Sequence, residues 1–197
     1  MYGGEIVRIE EKLSRYYSKS VDIVLILGFT LLTAIGAQVR LQLPWSPVPV
    51  TAQTFVVLLG PILIGPWAGL SQVLYLMFGI AGIPWFAIQK QGISVLLGPT
   101  GGYLIGFVFA SLVLGYIAKG EKSFSKLLLW LSLANFGVIH GFGLLQLCGW
   151  LALKGSTPNF LQLFSMGALP FIPGDLTKIL LVCSIARVFG KSNGFAS

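Results

Sequence analysis

Charged positions are few along the chain and are separated by long apolar stretches. No charged residue occurs from Leu41 to Gln89, from Gln91 to Ala118 or from Leu127 to Leu153, and the last stretch contains the single histidine, His140. An α-helix needs about 20 residues to cross the hydrocarbon core of a bilayer. The pattern therefore predicts an all-α, polytopic integral membrane protein.

We predict about six transmembrane helices. Apolar runs and the turn residues between them place these spans at residues 21–39, 50–64, 67–86, 98–118 and 127–153, with a sixth that begins near Pro170. Residues 21–190 then form one membrane domain. We expect residues 1–20 to be a cytosolic segment that forms an amphipathic interfacial helix, and residues 191–197 to be a cytosolic tail.

Composition and charge agree with a membrane protein. Of the 197 residues 10% are charged, whereas soluble domains carry about 25%. The net charge is +7, and most basic residues gather in three segments, 8–19, 119–126 and 187–191. The other loops carry single basic residues at Arg40, Lys90 and Lys154. This positive-inside pattern indicates a multi-pass plasma-membrane protein with both termini in the cytosol, and it argues against nucleic-acid binding.

Three closely spaced prolines follow the first span, at Pro44, Pro47 and Pro49. Proline lacks a backbone N–H and restricts the preceding residue to extended conformations. We therefore expect residues 40–49 to form a stiff, non-helical, non-cytosolic loop that folds over the helices as a lid.

An acid and a base lie inside the last apolar segment, in Phe171-Ile-Pro-Gly-Asp-Leu-Thr-Lys178. Asp175 and Lys178 are three residues apart and so lie on one helical face. Charged groups at membrane depth cost about 2.5–3.5 kcal/mol each and are retained mainly for a function. We favour a ligand-facing pair. The alternative is an acid at a helix start and a lysine that reaches back to the interface.

Two patterns of small residues have more than one interpretation. Thr30 and Ala34 lie on one face of the first span, where small residues allow close helix packing, either within the bundle or against another membrane subunit. The glycines that open the fourth span, including Gly101, expose backbone amides that suit an anionic group, although membrane-helix glycines more often serve packing.

The sequence argues against an enzyme. One histidine excludes an HExxH metal site, GxSxG is absent, and a single acid deep in the membrane excludes an aspartyl dyad. We predict no metal and no cofactor, and we expect His140 to be a hydrogen-bonded packing residue. The alternative function is an ion- or proton-coupled carrier of a small heterocyclic substrate, with Asp175 as the proton relay and Lys178 as its counter-ion.

Three blocks together resemble one family. They are Gly36-Ala-Gln-Val-Arg-Leu-Gln-Leu-Pro-Trp-Ser-Pro-Val-Pro-Val-Thr-Ala-Gln-Thr54, Leu96-Leu-Gly-Pro-Thr-Gly-Gly-Tyr-Leu-Ile-Gly106 and Phe171-Ile-Pro-Gly-Asp-Leu-Thr-Lys178. They are similar to the BioY family, the biotin-specific S components of energy-coupling-factor (ECF) transporters. The resemblance runs from about Val21 to Phe189 and leaves out residues 1–20.

The resemblance implies a six-helix subunit that binds biotin and mediates its uptake. Its expected partners are biotin, membrane lipid, a transmembrane ECF coupling protein and cytosolic ATPase subunits. It implies that Asp175 and Lys178 bind the ureido ring, and that Thr30 and Ala34 dock the coupling protein.

Other parts of biotin need further groups. The apolar ring and the valeryl chain need aromatic walls, for which the candidates are Trp85, Phe86 and Tyr103. The tail carboxylate needs a donor, for which the candidate is Lys90, helped by Gln89 or the Gly101 amide. Gln53, near the outer end of the second span, is a further candidate binding residue.

Overall fold

The structure is a computed structural model, which describes the backbone of residues 3–87 and 90–192 and the side chains of residues 20–87 and 90–188. Helix α1 is followed by two antiparallel strands of two residues each and then by the other helices. In chain order the elements are α1 Gly3–Gln38, β1 Arg40–Leu41, β2 Val50–Thr51, α2 Gln53–Ile64, α3 Trp67–Ile80, α4 Ile93–Leu96, α5 Gly101–Ile117, α6 Phe124–Ser132, a π-helical segment Leu133–Ile139, α7 His140–Leu153, α8 Phe160–Gly167, a 3-10 turn Leu169–Phe171 and α9 Ile172–Ser192.

Six helical runs of the described residues are apolar enough for a membrane. Three are long enough to cross it, namely 20–38, 124–153 and 160–188. Three are shorter, at 10–17 residues each, and correspond to α2, α3 and α5. The prediction of an all-α membrane protein with about six spans is confirmed. Large apolar side chains such as Leu31, Tyr116 and Leu145 remain exposed on this bundle, as expected where lipid is the solvent.

Helix α5 lies at the centre of the bundle. It packs against α2, α3, α7 and the π-helical segment. Helix α5 lies close to the helical run 124–153, which consists of α6, the π-helical segment and α7 (the α6–α7 run), because glycines lie at the contact. A Cβ on Gly102 would lie 2.2 Å from the Phe142 carbonyl oxygen, and one on Gly106 would lie 2.9 Å from the Ile139 Cα. Glycine at these positions lets the two backbones meet. Helix α9 closes the other side against α2 and α6.

Several predicted boundaries are wrong. The third span ends at Ile80 rather than residue 86, since Gly82 adopts a φ of 115° that turns the chain out of the helix. The segment between the predicted third and fourth spans contains α4. The segment between the predicted fifth and sixth spans contains α8, which Asn159 caps: its side chain accepts from Gln162 N, and Gln162 Oε1 accepts from Asn159 N.

The N-terminal part of the chain is continuous with the first span. Helix α1 runs unbroken from Gly3 to Gln38 and so crosses the boundary that we placed after residue 20. Residues 193–197, most of the predicted tail, lie outside the described residues.

Candidate substrate-binding site

A cavity of about 350 Å³ opens between the proline-rich loop and the helices that surround α5. Its volume is within the usual range for small-molecule sites. The proline-rich loop contributes Pro47, Val48 and Pro49, so its predicted position over the helices is confirmed. The other lining residues are Thr51, Gln53, Thr54, Phe86, Ala87, Lys90, Ser94, Val95, Gly98, Pro99, Thr100, Tyr103, Leu104, Phe107, Ile139, His140, Trp150, Phe171, Asp175 and Lys178.

Asp175 lies in the first turn of α9 and is 1% exposed. Its Oδ1 accepts hydrogen bonds from Lys178 Nζ at 2.9 Å and from Thr54 Oγ1 at 3.2 Å. Its Oδ2 accepts from Asn135 Nδ2 and His140 Nε2, both at 2.9 Å. A carboxylate offers about four lone-pair sites. All four are therefore filled in this structure.

Lys178 is saturated as well. Its Nζ donates to Thr51 O at 2.8 Å, to Thr54 Oγ1 at 2.7 Å and to Asp175 Oδ1 at 2.9 Å. An ammonium has three N–H donors. The acid and the base thus form a closed network in the cavity wall, where each charge compensates the other. An unpaired charge at this position would be far more costly.

The aromatic part of the cavity is built around Tyr103. Its hydroxyl donates to Gly167 O at 2.7 Å, and its ring lies 6.2 Å from that of Phe171. Phe86 supplies a further buried wall. Ser46 Oγ donates to Met166 O at 2.7 Å, so the proline-rich loop is hydrogen-bonded to α8.

Six of the predicted binding residues line this cavity: Asp175, Lys178, Tyr103, Gln53, Lys90 and Phe86. Gln53 is buried and donates from Nε2 to Tyr75 Oη at 2.9 Å. Lys90 is exposed, and its carbonyl accepts from Phe86 N at 3.2 Å. Gln89 lies outside the described residues.

Trp85 and Gly101, two further predicted binding residues, are not among the residues that line this cavity. Trp85 stacks on Tyr75 and donates from Nε1 to Tyr75 O, which directs its ring to a separate shallow groove beside α1. Gly101 packs at the start of α5, where a Cβ would collide with Leu96 O and with Gln146 Nε2.

Thr30 and Ala34, the pair predicted to dock a partner subunit, both have little exposed surface. Thr30 is 1% exposed and donates from Oγ1 toward Ile26 O and Ser71 O, so it packs against α3 inside the bundle. Ala34 is 7% exposed and lines the shallow groove together with larger neighbours, among them Leu31 and Ile35.

Sequence reasoning missed three side chains that bond the Asp175–Lys178 pair, namely those of Thr54, Asn135 and His140. The expectation that His140 is hydrogen-bonded is confirmed, but it lines the cavity and bonds the key carboxylate instead of serving packing alone. The sequence could have identified His140, because an ionisable side chain in a charge-free membrane stretch is itself a functional-site candidate. Asn135, five residues earlier in that stretch, is a weaker candidate for a similar reason, since its side chain is polar but not ionisable.

Comparison with known proteins gives one consistent family. A profile of the BioY family matches residues 10–194, which is more than the resemblance covered at either end. A probable biotin transporter BioY of Methanothermobacter thermautotrophicus is 45% identical over 132 residues, which are 65% of this chain and 84% of the relative. The biotin transporter BioY of Thermotoga maritima is 35% identical over 159 residues, or 80% of this chain and 89% of the relative.

A solved structure has the same fold. It is the S-component for biotin from an ECF-type ABC transporter, and it matches with a TM-score of 0.78 and 24% sequence identity over 89% of this chain and 93% of that chain. At this level of identity the match establishes the shared fold.

Proposed function

The chain belongs to the BioY family, and from this premise we propose that it is the biotin-binding membrane subunit of an ECF-type uptake system. A transmembrane coupling protein and cytosolic ATPases would supply the energy, and this subunit would supply the binding site. The observation that carries the proposal is the buried Asp175–Lys178 pair in the wall of a cavity of about 350 Å³.

The pair complements the ureido ring of biotin chemically. A cyclic urea has two N–H donors and one carbonyl acceptor. Asp175 only accepts hydrogen bonds and Lys178 only donates them, so a carboxylate beside an ammonium matches both halves of the urea. Because the network is closed in this structure, binding must exchange existing bonds for bonds to the ligand.

We propose that this exchange of protein hydrogen bonds for ligand hydrogen bonds takes place at Oδ1 of Asp175. Thr54 and Lys178, which bond Oδ1, both line the cavity. The Thr54 bond, at 3.2 Å, is the longest of the four, and its hydroxyl donor is neutral and rotates freely. A ligand N–H can replace that hydroxyl, while Lys178 turns one N–H from the protein to the ureido oxygen.

Biotin binding itself is the direct test of this function. We expect saturating biotin to raise the thermal unfolding midpoint of the purified chain, because a ligand at about 100 times its dissociation constant adds roughly 2.7 kcal/mol to the folded state. Lipoate is the matched control, since it has the same pentanoic acid tail and a sulfur ring but no urea. Equal stabilisation by both ligands, or by neither, would contradict the proposal.

Lys90 at the cavity mouth is the proposed partner of the tail carboxylate. We expect Lys90→Ala to weaken biotin binding by about 1.4- to fivefold, since an exposed ion pair is worth about 0.2–1 kcal/mol. Binding of biotin methyl ester, which lacks the charge, should not change. Calorimetry with both ligands measures this difference.

Two controls sharpen the Lys90 prediction. Arg40→Ala removes an exposed basic residue that does not line the cavity, and it should leave the affinity for both ligands unchanged. Lys90→Cys should react with a membrane-impermeant thiol reagent from outside the cell and be protected by biotin, which also tests the proposed orientation with cytosolic termini. An equal loss for biotin and its ester in Lys90→Ala would assign Lys90 to loop structure.

A further inference from the structure

The two oxygens of the Asp175 carboxylate are held by different kinds of residue. Thr54 and Lys178, which bond Oδ1, line the cavity. Asn135, which bonds Oδ2, is 0% exposed and is not among the cavity-lining residues, so it reaches the carboxylate from behind. Oδ1 is therefore bonded only by cavity-lining residues, whereas Oδ2 is bonded by the buried Asn135 and by His140, which also lines the cavity.

The local helix geometry brings Asn135 and His140 to the same oxygen. Five residues correspond to about 140° around an α-helix with 3.6 residues per turn, which would put these side chains on nearly opposite faces. Residues 133–139 are π-helical, and the backbone N–H of His140 donates to Asn135 O. This hydrogen bond over five residues stacks His140 above Asn135, so both can donate to Oδ2.

The His140 ring is held in place by aromatic neighbours. Phe136 stacks on it with ring centroids 5.7 Å apart, while Phe171 lies at 5.6 Å and Tyr103 at 5.9 Å. Among the described residues, the side chain of Asn135 has a hydrogen bond only through Nδ2, because its Oδ1 has no partner. The Asn135 side chain is thus committed to the carboxylate, while His140 bonds it through Nε2 and also approaches Gly167 O through Nδ1 at 3.4 Å.

We propose that Asn135 and His140, aligned by the π-helical segment, are positioning residues that fix Asp175 through Oδ2 so that Oδ1 is presented to the ligand. The inference rests on the proposed function, in which Asp175 accepts a ligand N–H. Asn135 does not touch the ligand. His140 lines the cavity, and its positioning role is exerted through the carboxylate.

Donor removal is the first part of the test. Asn135→Leu and His140→Leu keep approximate volume but remove a donor to a charged oxygen, and each should lower biotin affinity about tenfold or more. His140→Gln keeps an N–H donor and should retain most of the affinity. Ser111→Ala is the control: it removes a buried hydroxyl that bonds Val57 O on α2, away from the cavity, and affinity should not change.

A double-mutant cycle separates positioning from general structure. If Asn135 and His140 act through Asp175, their substitutions should have little further effect on biotin affinity in an Asp175→Asn background. Additive losses in that background would overturn the inference. If a leucine variant does not fold, Asn135→Ser, whose shorter hydroxyl cannot reach Oδ2, is used in the same cycle with the same expectation.

The outcomes for this inference and for the proposed function differ. Loss of biotin affinity in Asp175→Asn with unchanged affinity in the folded Asn135 and His140 variants would overturn the positioning role and leave the proposed function intact. Unchanged affinity in Asp175→Asn would remove the proposed ureido site, and the positioning role with it.

Discussion

Replacing Asp175 by Asn should lower the affinity for biotin by roughly ten- to two-hundredfold. The carboxylate accepts from four donors, two at each oxygen. An amide has one oxygen and one NH2 group, so it can accept hydrogen bonds at only one of the two positions where the carboxylate accepts them. The loss of a hydrogen bond to a charged group at a buried site costs about 1.5–3 kcal/mol.

The measurement is titration calorimetry on folded, monodisperse protein. Asp22→Asn is the matched control, because it neutralises a carboxylate on α1 that does not line the cavity, and it should bind biotin normally. Desthiobiotin keeps the cyclic urea and should show the same dependence on Asp175. Unchanged biotin affinity in Asp175→Asn would leave the pair as a feature of the helix start.

Replacing Lys178 by Met should weaken biotin by a similar factor and should also change which ligand the site prefers. The substitution removes the donor proposed for the ureido oxygen and leaves Asp175 without its compensating charge. The analogue 2-iminobiotin carries a cyclic guanidine, which is a cation at neutral pH. Lys178 repels that cation in the unmodified protein, whereas in Lys178→Met the ligand brings the missing positive charge to Asp175.

We therefore expect the ratio of biotin to 2-iminobiotin affinity to shift toward 2-iminobiotin by about tenfold or more in Lys178→Met. Competition binding of the two ligands at neutral pH measures this ratio. Lys90→Met is the matched control, since both ligands have the same tail and the ratio should stay constant. An equal weakening of both ligands in Lys178→Met would show that Lys178 does not face the ring.

The Asp175–Lys178 pair could be predicted from sequence because its geometry is local. Asp175 and Lys178 are three residues apart, and any helix through them brings the two side chains to one face. The six apolar runs were recognisable for a similar reason, since membrane insertion depends on the hydropathy of each segment by itself. The proline-rich loop was equally readable, because proline restricts the backbone wherever it occurs.

The residues that complete the site are far away in sequence. Asn135 and His140 bond Asp175 across 40 and 35 positions, and Thr54 does so across 121. Their convergence depends on how α2, α9 and the α6–α7 run pack around α5. It depends as well on a π-helical segment that the sequence analysis did not predict, because hydropathy does not distinguish a π-helical turn from an α-helical one.

The direction of side chains on each helix was likewise decided by packing. Thr30 satisfied a pattern that fits an external docking face and an internal contact equally well, and its hydrogen bond to Ser71 O selects the internal contact. Trp85 satisfied the requirement for an aromatic wall, but its bond to Tyr75 O turns it away and leaves Phe86 in the cavity. Sequence by itself determined the membrane class, the spans and the charged pair, since these follow from local hydropathy and spacing. Only the tertiary structure decided which polar and aromatic groups surround that pair, because burial and hydrogen bonding depend on contacts between distant helices.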